Sequence, residues 1–138
     1  MNQIITNQLA DRISVLLISA KTKVLQSLNQ TMVITYFEIG RIIIEEEQKG
    51  KQRADYGKQI IKTLSERLSK EFGKGFSQRN LEQIRQFYAV YSKTQTLSAE
   101  FNLSWSHYMK LIRIEDELER KFYEIEAFKN NWSLREVK

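Results

Sequence analysis

From Leu9 to Ile43 apolar side chains return every three or four residues, and nothing in between forces the backbone to break. Leu9, Ile13, Leu16, Leu17, Ala20, Val24 and Leu28 lie on one helical face, and Met32, Tyr36, Ile39 and Ile43 carry nearly the same stripe onward. The whole chain of 138 residues has no proline and five glycines. Long uninterrupted helices are therefore permitted, and hairpin-rich all-β architectures are disfavoured. No apolar run shows the alternation of a strand, so the expected fold class is all-α, with a long N-terminal helix and helix-turn-helix-like elements. The helix from Asn7 to about Glu47 either runs straight through or kinks near Ser27–Thr31, where short polar side chains compete for backbone hydrogen bonds.

A stripe this long calls for a partner helix, from the same domain or from a second copy. Gly40 falls on or beside it, where a missing side chain lets another helix approach; equally, it reads as a tolerated weak point costing about 1 kcal/mol. Glu45, Glu46 and Glu47 sit at the unfavourable end of the helix dipole, and are expected as solvated carboxylates. Gly50 ends the helix in the usual C′ role. The second helix is expected over 55–72, with Tyr56, Ile60, Ile61, Leu64, Leu68 and Phe72 toward the core and Lys58 and Lys62 opposite. Gly73-Lys74-Gly75-Phe76 forms a turn, Ser77 caps a third helix from Gln78 to about Tyr91, and Phe76 is placed to pack on Leu81.

Leu81, Ile84, Phe87, Tyr88 and Tyr91 cover one arc of that third helix. Residues 92–103 read as a polar loop. Ser104 caps a fourth helix holding Trp105, Tyr108, Leu111 and Ile112. A fifth covers 117–129, with Leu118, Phe122, Ile125 and Phe128 expected inward. Ser133-Leu134-Arg135-Glu136 fits a capping box, so a sixth helix is expected to start as the chain stops, as in a piece cut from something longer. Length fits one domain over 1–138, with 1–92 and 103–138 as the sub-lobes if it divides.

Charge is distributed unevenly. Residues 49–79 hold nine Lys/Arg against three Asp/Glu, and this stretch accounts for the positive balance of a chain whose formal net charge is +5. Such concentration points to a polyanion meeting one face. The expected partner is duplex DNA, with Lys58, Lys62, Lys74 and Arg85 holding phosphates. Gln78, Arg79, Gln83 and Gln86 would read base edges, because Gln and Arg make bidentate contacts in the major groove. The bland reading is a solvated helical face in an ordinary bundle. The alternative function is a dimerisation or protein-interaction module, in which the N-terminal stripe forms a homodimer or docks another component.

Catalytic chemistry has little to stand on. His107 is the single histidine and lacks the companions of a metal site, so a packing or capping role is expected. Glu-x-Lys strings at 47–49, 119–121 and 136–138 fall in helices, not on strands. Gly73-Lys74-Gly75 is too short for a phosphate-cradling loop and follows a helix. Tyr36, Phe37, Trp105, Tyr108 and Trp132 read mostly as core aromatics. No cofactor or metal is expected. Cysteine is absent, no run approaches a membrane span, and no signal peptide is recognisable, which together point to a cytoplasmic chain without a membrane partner.

Several motifs carry a family resemblance. Tyr36-Phe37-Glu38-Ile39-Gly40-Arg41 before an acidic run, Tyr56-Gly57-Lys58, Phe72-Gly73-Lys74-Gly75-Phe76-Ser77 and Arg79-Asn80-Leu81 come in order. They are followed by Leu103-Ser104-Trp105-Ser106-His107-Tyr108 and Asn131-Trp132-Ser133-Leu134-Arg135-Glu136. Together they resemble the N-terminal domain of the YhcG family, also known as DUF1016, over roughly residues 10–138. The resemblance implies a nuclease-associated, DNA-contacting module preceding a C-terminal nuclease domain of the PD-(D/E)xK type that this stretch does not include. It does not imply an enzyme in these residues. A shorter likeness, at 103–107, 115–119 and 132–136, is similar to the second half of the DNA-binding region of ParB-type partition proteins, and no site residue is carried across on it.

Overall fold

A computed structural model of the chain describes residues 2–50, 55–93 and 101–130. Five helices and no strand occur among them: α1 (Asn2–Lys49), α2 (Tyr56–Phe72), α3 (Gln78–Tyr91), α4 (Trp105–Leu111) and α5 (Glu117–Lys129). The architecture is all-α.

α1 is continuous for 48 residues, about 72 Å at 1.5 Å per residue. There is no break at Ser27–Thr31. Its threonines do not divert the backbone; Thr35 Oγ1 donates to Thr31 O at 2.7 Å, as Thr22 does to Ile18 O at 2.9 Å, so their hydroxyls are satisfied inside the helix. Among the described residues, only the second half of α1 is packed against other elements. Every side chain from Asn2 to Leu28 is exposed, and Val33 is the first buried one.

Gly40 sets the central packing. A Cβ there would lie 2.6 Å from the Ile84 carbonyl oxygen and 2.7 Å from Tyr88 Cβ, so α3 crosses α1 where the side chain is missing. Around this crossing lie two adjoining cores. Ile43, Ile61, Leu81 and Ile84 join α1, α2 and α3, with Leu64, Leu68 and Phe76 against them. Val33, Phe87, Tyr91, Phe101, Leu103, Tyr108, Leu111, Ile112 and Ala127 form the other, and Trp105 packs against both. Phe87 is its hub, with ring centroids 5.0–5.3 Å from those of Tyr91, Trp105, Phe101 and Tyr108.

Four expectations need correction. Phe72 is exposed at the end of α2, and Phe76 from the following turn packs instead against the core that holds Leu81. The segment before α4 is not simply polar: Phe101 and Leu103 are buried, while 94–100 lie outside the described residues. In α5 the apolar arc faces outward. Leu118, Phe122, Ile125 and Phe128 are all more than half exposed, and Arg120 and Ala127 are buried instead. Arg120 turns inward because its guanidinium satisfies backbone carbonyls after α4: Nη2 donates to Ile114 O at 2.8 Å and Nε at 3.1 Å. Finally, Glu47 is not a solvated carboxylate but pairs with Arg85, whereas Glu45, paired with Arg41, and Glu46, accepting from the Tyr56 hydroxyl, stay about half exposed. The expected sixth helix and Trp132 lie outside the described residues.

Candidate nucleic-acid interface

The candidate surface begins on α2. Lys58 and Lys62 are both exposed and one turn apart, and Glu66 and Lys70 continue the same four-residue row toward the C-terminal end. Between Lys58 and Lys70 the helix rises about 18 Å. Arg67, beside this row, is engaged by Glu71 at 3.0 Å.

The turn after α2 is fixed on both sides. Gly73 has φ 79° and Gly75 φ 111°, backbone conformations that side chains other than glycine's rarely allow. The Phe76 carbonyl oxygen accepts from Ser65 Oγ at 2.8 Å and from Ser69 Oγ at 3.3 Å, which ties the turn back onto α2. Ser77 Oγ accepts from the Asn80 backbone N–H at 3.1 Å as the N-cap, and Asn80 Nδ2 donates to the Gly75 carbonyl. Lys74 is therefore carried on a held loop, exposed, immediately before the first turn of α3.

On α3, Gln78 and Arg79 are exposed in that first turn. At about 100° per residue, Arg79, Gln83 and Gln86 fall within about 60° of one another around the helix. Gln86 is exposed and Gln83 half-buried, and Glu82 places one carboxylate on the same arc. The eighth expected residue is differently employed. Arg85 Nε donates to both oxygens of Glu47, at 2.7 and 2.8 Å. This hydrogen bond lifts the guanidinium further above its already high pKa, so Arg85 is a charged strut between α3 and the end of α1. Lys58, Lys62, Lys74, Gln78 and Arg79 thus stand on two adjacent helices and the turn joining them, while Arg85 is committed to the fold.

The other polar groups singled out in the sequence serve structure. Ser104 Oγ lies 2.6 Å from His107 Nδ1 and also accepts from the His107 backbone N–H, so His107 completes the α4 cap. Tyr91 donates to Glu124 Oε1 at 3.1 Å, and burial pushes the phenols of Tyr91 and Tyr108 well above their ordinary value. Among the described residues no three His, Asp or Glu side chains are grouped to hold a metal ion, and no helix is long and apolar enough to cross a membrane.

Comparison with known proteins fits the motifs. The sequence pattern of the DUF1016 N-terminal domain matches residues 12–138. The chain is also similar to Putative nuclease YhcG of Escherichia coli (strain K12), with 36% identity over 160 aligned positions that take in 94% of this chain and 43% of that protein. It spans less than half the length of that relative. No solved structure matches it.

Proposed function

Because the chain belongs to the DUF1016 N-terminal domain family, we propose that residues 1–138 act as one module that brings a nuclease-family protein onto nucleic acid and hold no catalytic site themselves. The observation that carries this reading is the run of exposed cations, Lys58, Lys62 and Lys74, leading to Gln78 and Arg79 at the capped start of α3. Lysines on the α2 row and the turn neutralise backbone phosphates, and duplex DNA is the partner proposed for them. Gln78, Arg79, Gln83 and Gln86 enter the major groove, as the first turns of a recognition helix do. The family relative's name, a nuclease, supports nucleic acid as the ligand class. Cleavage chemistry of the PD-(D/E)xK type would belong to a further domain of the full-length protein.

The test is a mobility-shift titration of the module on random-sequence duplex at several salt concentrations. Binding that weakens steeply with salt supports the proposal, and no binding at low salt contradicts it. Arg79→Ala then flattens sequence preference at one position, by about 1–3 kcal/mol of discrimination, while leaving the salt dependence nearly unchanged.

A second reading has its own observation. The first half of α1 exposes Ile4, Ile5, Leu9, Ile13, Leu16 and Leu17 among others, which favours an interaction surface on the same module. The two roles are compatible, since two-fold DNA binders commonly dimerise.

A further inference from the structure

The arm formed by residues 2–28 of α1 is about 40 Å long, and every one of its residues is exposed among the described residues. A helix in water without tertiary packing is marginal, and one bearing this much apolar surface is more stable against a partner. The positions of its apolar stripe identify the partner. Ile5, Leu9, Ile13 and Leu16 on one side of the midpoint are mirrored by Leu17, Ala20, Val24 and Leu28 on the other. The spacing runs four, four, three, one, three, four, four, and is unchanged when the helix is read backwards. A second copy laid antiparallel therefore presents the same pattern at the same height: Ile5 opposite Leu28, Leu9 opposite Val24, bulky Ile13 opposite small Ala20, and Leu16 opposite Leu17. That self-complementarity is the requirement of a two-fold interface.

Charge selects the same orientation. The arm carries Asp11 and Arg12 before the midpoint, and Lys21 and Lys23 after it. Parallel pairing would stack the two-lysine ends of both copies together. Antiparallel pairing sets each of those ends against the net-neutral end of the other copy, where Arg12 is level with Lys21 and Asp11 lies on the far side of the helix from the stripe.

From these observations we infer that α1 is a self-association element, pairing antiparallel with a second copy of this chain about an axis between Leu16 and Leu17. The inference rests on the interaction reading of α1 and is independent of nucleic-acid binding. Because Val33 is the first buried residue, the two helical bodies stand at opposite ends of the paired arms, with these residues about 50 Å apart along the axis.

The absence of cysteine makes the test direct. Sedimentation of the unmodified chain is expected to give twice the 16.4 kDa of one copy, or four copies if Val15 and Ile18 on the remaining side pair two such dimers. Leu9→Cys mixed with Val24→Cys is expected to give oxidised heterodimers. Leu9→Cys alone gives none, because the two Leu9 positions lie about 22 Å apart along the axis, far beyond disulfide reach. Leu16→Glu with Leu17→Glu reduces the mass to one copy and leaves melting of the helical body unchanged. A one-copy mass for the parent overturns self-pairing altogether. A two-copy mass with Leu9→Cys linking to itself overturns the antiparallel arrangement while the interaction reading stands.

Discussion

Arg85 on α3 shares its Nε–H between the two carboxylate oxygens of Glu47, 38 residues earlier at the end of α1. Three consecutive glutamates at a helix C-terminus are unfavourable on their own. Here the last of them also lies over the first turn of α2, where its Oε2 is 2.8 Å from the position of a Cβ at Gly57. One carboxylate thus meets a guanidinium and the favourable end of a second helix dipole. The pair is only partly shielded, with 15% of the Glu47 and 39% of the Arg85 side chain exposed. Either Glu47→Ala or Arg85→Ala is expected to cost about 1–2 kcal/mol, after allowance for screening by solvent. A double-mutant cycle by denaturant unfolding checks that the two losses do not add.

Gly40→Ala should destabilise the domain although alanine is the better helix former. Propensity favours the change by about 1 kcal/mol. The new methyl would collide with the Ile84 carbonyl and Tyr88 Cβ and force α1 from α3, at about 1–3 kcal/mol. A lower denaturant midpoint is the expected result.

Burial, as the main cause, raises the pKa of both Tyr91 and Tyr108 in the folded state, with Glu124 adding to it. The unfolded chain therefore loses these protons first. Stability is fully present below about pH 10, the ordinary tyrosine value, and declines as pH rises beyond it. Tyr108→Phe is expected to make the alkaline fall in unfolding free energy shallower, measured by urea unfolding across pH 9–11.

The sequence was most readable where helical spacing and caps agree. The buried residues of α3, its Ser77 cap and the Ser104 cap of α4 follow from local pattern, because each is decided within a turn or two of the helix. Gly40 was legible only as one of two alternatives, because its contacts with Ile84 and Tyr88 come from another helix. α5 shows where such reading stops. Its limits were legible, since Asp116 accepts from the Leu118 and Glu119 backbone N–H groups as an N-cap, but its inward face was not. Packing chose small Ala127 and the carbonyl-binding Arg120 over the larger apolar arc, and the one local hint was their seven-residue spacing on a common face. The Glu47 partner of Arg85 was illegible for the same reason: a lone basic residue does not disclose a carboxylate 38 positions away. Exposure along Asn2–Leu28 agrees with a stripe that needs a partner, which the described residues do not provide.

The orientation of α5 gives a sharp contrast in mutational cost. Leu118, 80% exposed, should accept serine with a change within about 0.5 kcal/mol in the isolated domain. Phe87→Ala, at the hub of the aromatic core, should cost about 3–5 kcal/mol. Chemical denaturation of the two variants side by side measures the difference.

The most direct measurement compares duplex binding by the parent chain and by the triple variant Lys58→Glu, Lys62→Glu, Lys74→Glu between 50 and 200 mM salt. Three phosphate contacts give a salt slope of about 2.7, so parent affinity should fall about 40-fold over that range. The variant should keep the parent's melting behaviour and lose binding already at the lowest salt. Duplex affinity and salt slope equal to the parent's would show that nucleic acid does not meet this face.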